Sequence, residues 1–194
     1  MTGVWSILAP SSFLHHLRIT SMQSTAQTIW DGLEFRRPMM LRNIEPLNEA
    51  QLHWVPGAGR NSIAWQLWHN AEVEDNWVRD LVLGEPVRFP FGVRLADVKA
   101  DGYPPKHELL AYFASVRDES RRRLESLGEG DFERRVVDAD FGTCTVREIW
   151  MGVVTGFAWH AGQIALTAKL LPDSPVSVQQ FKFLSTRNWE RHVD

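Results

Sequence analysis

The chain has 194 residues and a formal net charge of -3, from 21 basic and 24 acidic side chains. That length suits one domain with its own hydrophobic core, and the single cysteine, Cys144, excludes an intrachain disulfide and a cysteine-only metal site. A mildly acidic, evenly mixed chain lacks the concentrated basic surface that nucleic acids require; Arg121-Arg122-Arg123 lies among Asp118, Glu119 and Glu125 and reads as a solvated helix face.

Residues 1 to 21 read as an extension. Helical periodicity begins close to Met22, a candidate natural start, and the segment lacks the charged start and long apolar run of a signal peptide. A first helix is expected from Ser24 to Arg42, with Pro38 kinking it or ending it early. Asn48 with Gln51 three residues on forms a capping box that opens a short helical turn, and Pro56-Gly57-Ala58-Gly59 then breaks the chain. A second helix is expected from Ser62 to Leu83, capped by Asn61 or Ser62 and stopped by Gly84 and Pro86. The connection from Glu85 to Tyr103 is long for a bundle, which makes it a candidate lid or site wall. Pro104 and Pro105 introduce a third helix to Leu127, with Leu109, Leu110, Phe113, Val116, Leu124 and Leu127 on one face. Residues 132 to 143 suggest a short extended excursion.

Thr145-Val146-Arg147-Glu148 is a second capping box, and it starts a fourth helix that Pro172 ends after Leu171. At ~1.5 Å per residue this helix spans about 40 Å, the full height of a bundle. Its stretch from Ile149 to Ala168 is apolar enough to mimic a membrane span, but Thr155, His160, Gln163 and Thr167 interrupt it. A fully buried central helix of a soluble, cytoplasmic protein accounts for the same pattern. The domain is thus expected over 22–172, an all-α four-helix bundle. A tail over 173–194 carries Phe181, Phe183 and Trp189.

His160 and Gln163 sit in the middle of the apolar fourth helix. A buried imidazole needs a partner, because leaving it unsatisfied costs ~1–3 kcal/mol; a backbone carbonyl or hydroxyl would serve as well as a metal. His69, on the second helix, has Trp65, Gln66, Glu72 and Val73 as helical neighbours. An imidazole beside an indole with a carboxylate one turn on is a ligand-like environment, and equally a Trp-rich interface. There is no His-Glu-x-x-His, no Glu-x-x-His pair, no phosphate loop and no Gly-x-Ser-x-Gly elbow. Cys144 precedes the fourth-helix cap, where a helix dipole could lower its pKa, but no histidine adjoins it.

Two segments together carry a resemblance. Asn61-Ser62-Ile63-Ala64-Trp65-Gln66-Leu67-Trp68-His69-Asn70-Ala71-Glu72-Val73-Glu74-Asp75 resembles the second-helix signature of the DinB-like superfamily of four-helix metalloenzymes. Phe157-Ala158-Trp159-His160-Ala161-Gly162-Gln163-Ile164 resembles its fourth-helix signature, histidine followed by x-Gly-Gln-Ile. The resemblance implies an up-down-down-up-like bundle and a divalent metal, Zn²⁺ or Ni²⁺. The metal is held by one histidine of the second helix and two of the fourth, four residues apart.

Carried over by position, the ligands are His69 and His160; the remaining place falls on Gly156. Glu72 is the nearest substitute, as ligand or as catalytic base, and Gln163 would orient a ligand or a water. Trp65, Trp68, Trp159 and Gly156 would line the pocket. An alternative reading of Gly152-x-x-x-Gly156 is that small residues let a helix or a Trp ring approach closely. Members of the family include thiol-dependent transferases and isomerases, in which the metal lowers the pKa of a low-molecular-weight thiol; in others a metal-activated water would hydrolyse substrate. The expectation is a metal-dependent transferase or hydrolase acting on a small molecule. The competing expectations are a metal-free small-ligand module that has lost its third ligand, and a structural homodimer.

Overall fold

The computed structural model describes residues 24–99, 102–139 and 142–176. The expected extension and the aromatics of the expected tail, Phe181, Phe183 and Trp189, lie outside the described residues. Within them the chain forms α1 (Ser24–Ile44), a short α2 (Glu49–His53), α3 (Ile63–Trp77), α4 (Lys106–Ser126), a hairpin of β1 (Arg135–Asp138) and β2 (Gly142–Thr145), and α5 (Val146–Leu170). The long helices α1, α3, α4 and α5 are the four of the bundle.

Caps set most of the boundaries. Ser62 Oγ accepts from the Trp65 N–H at the start of α3, and the Asn48–Gln51 and Thr145–Glu148 capping boxes open α2 and α5 as expected. The end of α3 widens into a π-helical turn over Val78–Leu83, closed by Gly84 in the left-handed region (φ 67°). Glycine adopts that conformation without the Cβ clash other residues meet. Pro38 does not end the first helix: α1 runs through it to Ile44, because Leu33, Met40 and Ile44, all fully buried, anchor both sides. The excursion after α4 is a four-residue antiparallel hairpin in which Val136 faces Cys144.

Contacts fix the directions of the helices. Arg147 of α5 reaches Thr25 of α1, and Val154 lies against Gly32, so α1 and α5 run parallel. Trp68 meets Tyr103 just before α4, while Asp75 meets Tyr112 and Arg123 further along it, so α3 and α4 are also parallel. Trp77 packs on Gly152 and His69 on His160, making α3 and α5 antiparallel. This is the up-down-down-up order. Two parallel neighbours require a chain that returns the length of the bundle, ~30 Å for 20 residues of helix, and the Glu85–Tyr103 connection does so.

One arginine ties the four helices together at their centre. Arg37 of α1 donates to Glu74 of α3 at 2.5 Å, both buried, and its guanidinium stands 5.1 Å from the rings of Phe113 and Phe157. The expectation of a fully buried α5 is corrected. It packs on α1 and α3 but leaves Met151, Trp159, Leu166 and Leu170 exposed, because no further layer among the described residues covers its outer side. No described helix is long and apolar enough to cross a membrane.

Candidate metal centre

His69 and His160 come together. Their rings are 4.9 Å apart between centroids and inclined at 72°, one from each of the antiparallel helices α3 and α5. Trp65, one turn before His69, stacks on its ring at 4.5 Å and 15°, and lies 6.3 Å from the His160 ring. The four-residue spacing places Trp65 above His69 on one helix face.

Both imidazoles are held neutral. Burial, with the His160 charge second, pushes His69 from its ordinary 6.5 down to about 4. Burial also lowers His160, against the opposing hydrogen bond from Gln163. His160 Nδ1 donates to Gln163 Oε1 at 3.1 Å, which fixes the tautomer and leaves the Nε2 lone pair bare. Gln163 thus lies in direct contact with the His160 ring.

Glu72 lies one turn beyond His69 and borders the same groove, a cavity of about 500 Å³. Its carboxyl is raised by burial, partly offset by the Leu95 backbone N–H and the nearby Trp68 indole; Leu95 N–H donates to Oε2 at 3.4 Å. The groove is walled by Trp65, Trp77, Val87, Phe89 and Arg94. The long connection therefore supplies a wall, and Arg88 clamps it. Its backbone N–H donates to Asn76 Oδ1 at 3.0 Å, and its side chain reaches buried Asp75 and Glu119. Length alone flagged that wall; Trp77, Val87, Phe89, Arg94 and the Arg88 clamp carried no signal in the sequence.

Three expectations are corrected. Glu72 does not close a three-donor cluster with the histidines, since among the described residues no three His, Cys, Asp or Glu side chains gather closely enough to hold a metal. Trp68 is 1% exposed and belongs to the core, edge-on to Phe91 at 4.9 Å. Trp159 is 68% exposed on the outer side of α5. Each of these tryptophans precedes a histidine by one residue, and one residue is about 100° of helix rotation, so neighbours in sequence face different ways. Cys144 is no activated nucleophile either: burial, Asp138 and Glu148 push its thiol up.

The two glycines of the Gly152-x-x-x-Gly156 pair differ. A Cβ on Gly152 would stand 3.2 Å from the Trp77 ring, so that glycine admits an indole. A Cβ on Gly156 would meet nothing within 4 Å. Gly156 lies one turn before His160, and the space beside it is open. As a donor set, then, the site offers two neutral imidazoles in contact, with room but no side chain where a third donor would stand. That fits a divalent cation at two positions, one short of the three protein ligands of a catalytic zinc site.

A search among curated proteins finds no match. Two solved structures share the fold. A conserved protein of Enterococcus faecalis aligns with a TM-score of 0.58 at 16% identity, over 77% of this chain and 98% of that one. YfiT of Bacillus subtilis, described as a probable metal-dependent hydrolase with an unusual four-helix bundle topology, aligns at 0.61 and 17% identity, over 77% and 89%. The sequence pattern of the DinB superfamily matches residues 33–164, which reach into every long helix and include both histidines, and the chain belongs to that superfamily.

Proposed function

We propose that the protein is a metal-dependent enzyme acting on a small molecule, with His69 and His160 as its two protein donors and Zn²⁺ or Ni²⁺ as the cation. The observation that carries the reading is the contact between two neutral imidazoles from different helices, beside a walled groove. Membership of the DinB superfamily and the likeness to YfiT support it. A bound cation supplies Lewis acidity, lowering the pKa of a water or a thiol.

The chain's own residues do the rest. Trp65 holds the His69 ring by stacking, and Gln163 keeps the His160 lone pair available. Glu72, its carboxyl raised by burial, is placed to take a proton at Oε1 while Leu95 holds Oε2. The connection clamped by Arg88 walls one side of the groove. Hydrolysis suits a carboxylate of raised pKa; thiol transfer is the alternative on the same site.

The test is stabilisation by ligands. Zn²⁺ or Ni²⁺ should raise the melting temperature of tag-free wild-type protein and leave that of His69→Ala/His160→Ala unchanged. Stabilisation by small aromatics but by neither metal would place the protein among metal-free binding modules.

One observation favours a second reading, a self-associating bundle. Met151, Trp159, Leu166 and Leu170 form one exposed apolar face of α5. Antiparallel pairing of two such faces about a two-fold axis would set Trp159 of one copy against Gly162 of the other, where a Cβ would meet nothing within 4 Å. A Trp159→Glu variant should then halve the mass in solution; a monomeric wild type would exclude it.

A further inference from the structure

A second groove, of about 590 Å³, lies on the other side of Gln163, between α5 and the N-terminal end of α3. Its lining includes Arg60, Asn61, Gln66 and Gln163, with Leu166 and Leu170 as an apolar patch. Two of these residues are poorly served by the protein itself.

Arg60 is the first. The Pro56–Arg60 turn, with Gly59 at φ 69° and the Arg60 N–H donating to Gly57 O at 3.2 Å, delivers it two residues before the Ser62 cap of α3. Among the described residues its guanidinium forms no ion pair or hydrogen bond, whereas Arg79, Arg88, Arg117 and Arg123 are each held by at least two acidic side chains. It is, among the described residues, the one charged side chain in the lining, with no carboxylate there to oppose it. The positive end of the α3 dipole adds to the same potential.

Gln66 is the second. It is 2% exposed, its amide N–H reaches Asn61 O at 3.4 Å, and its Oε1 has no donor among the described residues. A buried acceptor without a donor is costly, and here it borders a cavity.

We infer that this groove binds a small molecule carrying a carboxylate and an N–H or O–H donor on an apolar body, as an N-acylated apolar amino acid does. Arg60 takes the carboxylate through its planar fork, Gln66 Oε1 accepts from the donor, and Leu166 and Leu170 cover the apolar part. Gln163 separates this ligand from His160 by one side chain, which places the groove as the recognition half of the site. The inference deepens the proposed function by naming its substrate class and rests on that reading for its catalytic meaning alone; binding needs no cation.

The probe is N-acetyl-leucine, titrated into the full chain with EDTA present, beside N-acetyl-leucinamide, which keeps the N–H and loses the carboxylate. The acid should bind about tenfold more tightly than the amide, as loss of a charge-assisted contact implies. Arg60→Gln, a substitution on an exposed turn, should remove that preference, and Gln66→Leu should weaken both probes while the far-UV spectrum stays unchanged. His69→Ala/His160→Ala should bind the acid as the wild type does. Binding retained in that double variant, with metal stabilisation absent from the wild type, would leave this inference standing while the metalloenzyme reading fails. Equal binding of acid and amide, an Arg60→Gln affinity equal to wild type, or no binding of the acid would overturn it.

Discussion

The two halves of α3 treat buried polar groups in opposite ways. In the first half, His69 is stacked on Trp65, faces His160 and is kept uncharged by burial. In the second half, Asp75 is fully buried and ionic: it accepts from Arg79 at 3.0 Å, Arg88 at 2.5 Å and Arg123 at 3.4 Å, and Glu119 bridges the same arginines. Burial alone would raise Glu119, yet the three arginines hold it below the ordinary carboxylate range. The ionic cluster around Asp75 ties α3, α4 and the long connection together. The neutral half keeps lone pairs available and borders a groove. One helix therefore carries the clamp at Asp75 and the site at His69, six residues apart, and rigidity in one half positions the other.

The contrast can be broken at several points. Asp75→Ala leaves three guanidinium groups with one shared carboxylate and should cost ~3–5 kcal/mol in denaturant unfolding, whereas His69→Ala should cost far less, because no charge is orphaned. Gly156→His fills open space one turn before His160. It should tighten Zn²⁺ in a competition titration by roughly 100-fold, the share of one ligand in a structural zinc site of about 10–16 kcal/mol. Gln163→Leu frees the His160 ring and should weaken the same metal by ~10–100-fold.

The smallest effect is acid stability. His69 binds its proton near 6.5 when unfolded and near 4 when folded, so the unfolded chain holds more protons between those values. Stability is then complete above pH 6.5 and falls as the pH drops toward 4. After screening for its partial exposure, the loss is ~1–2 kcal/mol. A His69→Asn variant should flatten that part of the stability–pH curve.

Local signals in the sequence were readable, and long-range ones were not. Capping boxes at Asn48 and Thr145 marked helix starts because their chemistry is complete within four residues. His69, His160, Trp65 and Gln163 were legible because each relation within a helix is a spacing of three or four. The pairing of the two histidines entered through family resemblance, since no spacing links residues 91 apart. Trp68 and Trp159 were misplaced by reading adjacency in sequence as adjacency in space. Pro38 was overweighted because its local cost ignores the buried side chains that hold α1 on both sides. Gly152 and Gly156 look alike in sequence, and only the position of Trp77 separates a packing glycine from an open one. The Arg88 clamp depends on Asp75 and Glu119, which no local pattern connects.

The central claim is that the paired imidazoles of α3 and α5 form a cation site. Calorimetric titration of tag-free protein with Zn²⁺ addresses it most directly, comparing wild type with His69→Ala and His160→Ala. One equivalent should bind the wild type, and either single substitution should abolish that binding, because a lone imidazole is no site. Equal stoichiometry and affinity in all three proteins would contradict it.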